Sequence, residues 1–432
     1  MSDGAPVLGS PVLTVPAEET LDALVTVLDE IRRGRSRSRS ELIARTGLGR
    51  AVVAQRVSEL IERGLVREGG FGRSTGGRPP RQLYFHAEAG HVLVADLGAT
   101  SIDVAVTTLD GRILAHRDEP ADVGDGPERC LDRVDQLFAE LRSSTRGLPG
   151  DLWGIGIGVP GPVEFRTGTP VSPPIMPGWD GYPVRSRFAA AYNTPVWVDN
   201  DVNLLCLGEW RSGAAVGHDN VVVIKVGTGI GAGIISDGRL HRGAQGSAGD
   251  VGHIQVVDER SVICRCGNVG CLEALAGGAA IGRDGDAAAR DGRSERLRAA
   301  LDQHGEVTAA DVARAASFGD PVAVELLESA GRRIGRVLAS VVNFFNPSLI
   351  VVGGGVALSG DHLLSAMRET VERRSLPLAT RELAISRSSL AGLAGVIGAS
   401  SMVVDQLFAR EHIAHWMAAG GPAGMPEVAL AG

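Results

Sequence analysis

The strongest constraint on this chain is a pattern written twice. Val92–Leu114 reads VLVADLGATSIDVAVTTLDGRIL, and Val221–Leu240 reads VVVIKVGTGIGAGIISDGRL. Both run apolar strand, Gly/Thr turn, second strand, Asp-Gly hairpin turn, third strand. A repeat of this kind predicts two similar subdomains facing one another. Glycines at such turns let backbone N–H groups approach phosphate oxygens without a Cβ clash. Asp96, Gly98 and Thr100 form the first candidate loop, and Gly227, Thr228, Gly229, Gly231 and Gly233 form the second. A third, Gly353-Gly354-Gly355, follows the apolar run Leu349–Val352. One glycine turn alone usually only turns the chain.

A second feature is local. His253–Glu273 reads HIQVVDERSVICRCGNVGCLE, which puts three of the five cysteines (Cys264, Cys266 and Cys271) in one short loop. Three thiolates and an imidazole, His253, are the ligand set of a closed tetrahedral zinc site. Gly267 and Gly270 let the backbone turn so that the sulfurs converge. Cys130 and Cys206 sit in apolar helical contexts and read as inert core thiols. The spacing is not that of a nucleic-acid-binding zinc finger.

This loop resembles the zinc loop of the ROK family, named for repressor, ORF and kinase. The family motif runs CxCGxxGCxE, preceded by ExGH. Cys264–Glu273 (CRCGNVGCLE) matches in full, and Asp250-Val251-Gly252-His253 matches with Asp for Glu. The resemblance implies that one ring nitrogen of His253 holds zinc while the other faces a sugar. It implies an α/β fold: a two-lobed actin-like (ribonuclease H-like) sugar-kinase body with nucleotide in the cleft. The phosphate-binding residues would be Asp96, Gly98, Thr100, Gly227, Thr228 and Gly229, with Gly354 and Gly355 near the adenosine.

The same resemblance supplies a sugar side. Val196–Glu209 reads VWVDNDVNLLCLGE, and the family's catalytic aspartate lies in an ENDxN tract that aligns it with Asp201. Such a carboxylate can accept a proton from a sugar hydroxyl. Gly161, Asn200, Asp250, His253 and Glu273 would complete the sugar contacts. The alternatives are that Asp199 and Asp201 merely cap the following helix, and that Glu273 only starts the next one. Asp250 is one methylene shorter than the family's Glu, which would alter epimer choice or bring in a water.

Charge marks out the N-terminal part. The net charge is −8, yet Arg32–Arg81 holds thirteen arginines and four glutamates. A basic module on an acidic body is a candidate for nucleic acid. Leu21, Leu24, Val25, Leu28 and Ile31 keep helical period from Ala17. Ser40 is placed to cap a short second helix, Glu41 to Arg45. A third, about Arg50 to Arg63, would present Arg50, Gln55 and Arg56. Two short strands around GGFGRSTGGRPPR would form a wing carrying Arg73 and Arg78. This segment resembles the winged helix-turn-helix fused to ROK repressors, in which the third helix reads the major groove.

The expected organisation is a disordered tail (1–16), a winged helix-turn-helix (17–86), a kinase-like domain (87–412) and a second disordered tail (413–432). Pro321–Phe345 reads as a long helix, and Gly395–Arg410 as a closing one. No apolar run reaches the roughly 18 residues that suggest a membrane span. MSDGAPVLGS carries no signal-peptide pattern, so a cytoplasmic location is expected.

Two functions compete. One is a sugar-responsive transcriptional repressor with a hexose or hexose derivative as effector. As a homodimer or homotetramer it would bind an inverted-repeat DNA operator. The other is a hexose kinase using ATP and magnesium. Against efficient catalysis stand the first loop, DLGAT followed by Ser101 where kinases often have DxGGT followed by Lys, and Asp250.

Overall fold

A computed structural model describes residues 18–71, 81–259, 262–357 and 360–430. The N-terminal module has helices Glu18–Arg32, Arg39–Thr46 and Arg50–Glu62, followed by the antiparallel hairpin Val66–Phe71 with Arg81–Phe85. Leu24, Leu28, Leu42, Val57, Leu60 and Leu83 close its small core. The second helix starts earlier than the sequence suggested. Ser38, not Ser40, is its cap: its backbone is extended, and its hydroxyl accepts the Glu41 N–H at 3.2 Å. The wing tip that carries Arg73 and Arg78 lies outside the described residues.

The duplicated pattern becomes two five-stranded sheets of like order. In the first, Ile113–Pro120, Ser101–Thr108 and Gly90–Leu97 are antiparallel neighbours, and Asp151–Val159 and Val196–Asn200 continue in parallel. The second runs Arg239–Leu240, Ile230–Ser236, Val221–Val226, Leu349–Gly353, Ala384–Arg387 with the same change from antiparallel to parallel. The fold is thus α/β, a winged helix-turn-helix followed by a two-lobed actin-like body. Strands buried on both faces read as continuous apolar runs, which is why VVVI and LIVV stand out in the sequence.

Two helices fill the space between the sheets. Asp201–Ser212 is buried from Asp201 through Glu209, and Ala394–Leu407 crosses it. The crossing is close because Gly208 and Gly398 stand at it. A Cβ on Gly208 would collide with the Ala394 carbonyl, and one on Gly398 with the Leu204 carbonyl.

The expected disordered tail after residue 412 is a correction. Arg410–Trp416 is helical, and short 3-10 turns follow at Met417–Ala419 and Pro426–Leu430. Ile413, Trp416, Met417 and Val428 are buried in the core shared with Trp153, Trp197 and Phe408. Apolar residues spaced this thinly gave little periodicity to read, yet a buried tryptophan contributes a large packing area.

The winged module docks on this C-terminal segment. Phe85 meets Phe408 edge-on at 5.6 Å, the Arg63 guanidinium donates to the Met417 carbonyl, and Arg410 pairs with Asp22 at 2.6 Å. Asp405 accepts from Arg32 at 2.8 Å and also from Arg211, the penultimate residue of helix Asp201–Ser212.

Candidate functional site

Between the lobes lies a cleft of about 960 Å³. Gly98, Thr100, Gly161, Asn200 and Asp201 line it, as do Gly227, Thr228, Gly229, Asp250, His253, Glu273 and Gly355. The predicted sugar and phosphate residues therefore meet in one cavity, except Asp96, Gly233, Gly353 and Gly354. Asp96 is half-buried and does not line it. Gly354 turns with φ +91 against the Val226 backbone instead of facing the cavity.

Asp201 opens helix Asp201–Ser212, but neither it nor Asp199 caps that helix. The cap is Asn200, whose Oδ1 accepts from Val202 N–H at 2.9 Å and from Asn203 N–H at 3.4 Å. Its amide also donates to the Gly161 carbonyl at 2.9 Å, which leaves one N–H for a ligand. Asp199 is buried among donors: Asn203 Nδ2, Arg242 Nε and the Asn200 N–H, each at 2.8 Å. These contacts hold the turn that presents Asp201.

Sequence reasoning missed Lys225, the only lysine in the chain. Its Nζ donates to Asp201 Oδ2 at 2.6 Å. Burial would drive the ammonium toward neutrality, but Asp201 and Asp96 outweigh it and hold its pKa above the ordinary lysine value. Asp96 is pushed up to about 7, mainly by burial; Lys225 pulls it down, and Asp201 and Asp103 push it up again. Among the described residues no donor reaches its Oδ1. A lone lysine beside a glycine loop, in a chain otherwise charged by arginine, was the available signal.

Glu273 stands in the first turn of helix Leu272–Ala276. It lines the cleft, and its Oε2 accepts the Ile230 N–H at 3.0 Å, which braces the Gly227–Gly229 loop.

The cysteine loop folds beside this cavity. The ligand atoms of His253, Cys264, Cys266 and Cys271 all lie within 4.8 Å of one another. Cys264 Sγ is 3.7 Å from His253 Nδ1, and Cys266 Sγ is 3.8 Å from Cys271 Sγ. A tetrahedron with zinc–sulfur bonds of about 2.3 Å has sulfur–sulfur edges of about 3.8 Å. The donor set and spacing therefore fit such an ion. Gly270 makes the convergence possible: its φ is +73, and a Cβ there would strike the Val257 carbonyl. With Nδ1 turned to the sulfurs, Nε2 is the nitrogen left for the cleft that His253 also lines.

The candidate DNA face is only partly as read. Arg50 and Gln55 are exposed on helix Arg50–Glu62, and Ala51, Val52, Ala54 and Ser58 are exposed with them. Arg56 is a correction: it is 6% exposed and pairs with Glu59 at 2.6 Å, so it braces the module from inside.

Comparison with known proteins agrees with this arrangement. The profile of the ROK family matches residues 92–406. The xylose repressor of Caldicellulosiruptor bescii is 31% identical over 381 residues, 88% of this chain and 95% of the relative. The glucokinase of Halalkalibacterium halodurans is 34% identical over 311 residues, 72% of this chain and 94% of the relative. The crystal structure of a ROK family transcriptional regulator, a homolog of the E. coli MLC protein, superposes with TM-score 0.76 at 28% identity. It covers 91% of this chain and 97% of its own. A Streptomyces griseus ROK glucokinase in complex with glucose and AMPPNP superposes with TM-score 0.65 at 31% identity, covering 72% of this chain and 99% of its own. The regulators match far more of this chain than the kinases do. With a matched profile over most of its length and the cysteine loop in place, the chain belongs to the ROK family.

Proposed function

We propose that this chain is a sugar-responsive DNA-binding transcriptional repressor. One observation carries the reading: the helix that presents Asp201 in the cleft carries Arg211 in its last turn, which shares Asp405 with Arg32 of the winged module. A ligand with different affinity for two arrangements of the lobes shifts their populations by that difference. This contact gives such a shift a route to the reading head.

The effector is a monosaccharide, with hexoses and hexose derivatives the first class to test. Asp201, Asp250, Glu273, His253 and one N–H of Asn200 would meet its hydroxyls. A site built to hydrogen-bond a hydroxyl strongly rejects analogues that lack it. Zinc held by His253, Cys264, Cys266 and Cys271 would fix the loop and aim the imidazole. On the DNA side, Gln55 suits adenine, Arg50 suits guanine or phosphate, and the small apolar Ala51 and Val52 suit a thymine methyl. A two-fold homodimer would present two such helices about 34 Å apart and so bind an inverted repeat. A tetramer would pair two such dimers, and the setting is the cytoplasm.

The second reading, a hexose kinase, is favoured by Asp201 standing in the same cavity as two glycine loops. A fluorescence anisotropy titration with DNA from upstream of the protein's own gene, repeated across a sugar panel, separates the two. The repressor reading expects one sugar to change the affinity without being consumed. Sugar-dependent ATP consumption with no effect on DNA would favour the kinase.

A further inference from the structure

Lys225 is the cleft residue that neither the zinc loop nor the phosphate loops explain. It is the penultimate residue of strand Val221–Val226, two residues before the Gly227–Gly229 loop, and it lines the cavity. Its ammonium is 2.6 Å from Asp201 Oδ2, and Asp96 and Asp103 are the other carboxylates whose charge it feels. Asp96 and Asp201 come from different elements, one from strand Gly90–Leu97 and one from the head of helix Asp201–Ser212.

Carboxylates gathered beside phosphate-cradling loops are what magnesium uses when it binds through one or two side chains and a nucleotide's phosphates. Here a protein cation already stands 2.6 Å from one of them, Asp201. Apart from histidine, this chain uses arginine for every other basic side chain and keeps its single lysine at this point. The residues present therefore do not suit a magnesium nucleotide.

We propose that Lys225 is a tethered cation that takes the place of a divalent metal beside Asp201, so that the cleft accepts an uncharged sugar and excludes magnesium nucleotide. The inference rests on the reading of the cleft as a sugar site. It adds why a kinase-like cleft would serve as a receptor. A second positive ion entering beside Lys225 meets like charge in a region of low dielectric. Asp201 is meanwhile held by a charge-assisted hydrogen bond from Lys225.

The test uses the full chain and manganese with ATP as the paramagnetic probe, read by water-proton relaxation, beside the sugar panel on DNA. Wild type should show no uptake of manganese nucleotide at millimolar concentration. Lys225→Thr should gain it by at least about tenfold, and Lys225→Arg, which keeps the charge, should stay without it. Thermal melts confirm that each variant is folded. If Lys225→Thr does not fold, wild type and Lys225→Arg still decide. Tight uptake of manganese nucleotide by wild type overturns the proposal. So does a folded Lys225→Thr that gains nothing, or one that loses an affinity for inorganic phosphate that wild type possesses; the last would make Lys225 an anion anchor. Wild type that binds manganese nucleotide yet answers a sugar on DNA sinks only this inference. Wild type that answers no sugar sinks the repressor reading instead.

Discussion

The carboxylate of Asp405 lies 2.8 Å from the Arg32 guanidinium and so ties the first helix of the winged module to the closing helix of the body. Arg211 holds the same carboxylate from the far end of the helix that begins at Asp201. Burial alone would raise the Asp405 pKa, but Arg32, Arg211 and Arg33 together hold it below the usual carboxylate range. A depressed carboxylate contributes stability that is complete above its ordinary pKa and is lost as pH falls through the lowered one.

Asp405→Asn should therefore weaken domain docking by on the order of 1–3 kcal/mol at neutral pH, the range for a hydrogen bond to a charged group. The cleft is untouched, so sugar affinity measured by calorimetry should stay within about twofold. The change in operator affinity caused by saturating sugar should shrink toward none. An undiminished sugar effect in this variant would show that the signal takes another route.

Elemental analysis of the purified chain should give one zinc per polypeptide. Cys266→Ser should carry little or none and melt at lower temperature, because metal binding is coupled to folding of its loop. Sugar affinity should fall with it, since His253 loses the partner that orients its ring. Full sugar affinity in a zinc-free protein would separate the metal from the pocket.

Asp96 gives a pH signature. Its pKa is raised to about 7 in the fold, mainly by burial, so the folded state binds more protons than the unfolded state between the ordinary carboxylate range and pH 7. Stability from this group falls as pH rises through that window and is lowest above it. Asp96→Asn should melt above wild type at pH 8, and the gap should close toward pH 5. A gap that is constant with pH would mean that Asp96 does not titrate there.

On the DNA side, Gln55→Ala should weaken operator binding by about 1–3 kcal/mol and relax the preference at one base position, while leaving the melt unchanged. Arg56→Ala should instead lower the melting temperature, because Arg56 is buried against Glu59. Loss of sequence preference in a fully stable Arg56→Ala would reverse these assignments.

What could be read before folding follows the distance between partners. Cys264, Cys266, Cys271 and His253 converge within one loop, so their spacing alone suggested a ligand set. The two sheets were visible because each copy carries its own turns and a run of buried β-branched residues. Lys225–Asp201 and Asp405–Arg32 join residues distant in the chain; a lone lysine beside a glycine loop hinted at the first, and nothing local marks the second. Arg56 was misread because a helical period separates faces only coarsely, and a charged residue at the edge of the apolar stripe turned inward to Glu59. The C-terminal segment was misread because its apolar residues are thinly spaced and Trp416 packs on Trp153 of the first sheet, far away in the chain.

The most direct measurement is operator affinity of the full-length protein, by fluorescence anisotropy at fixed salt, with and without each member of a monosaccharide panel. The account predicts specific binding to an inverted repeat and at least about a tenfold change in Kd with one sugar, which remains chemically unaltered. Specific DNA binding that no sugar alters, or no specific DNA binding at all, would contradict it.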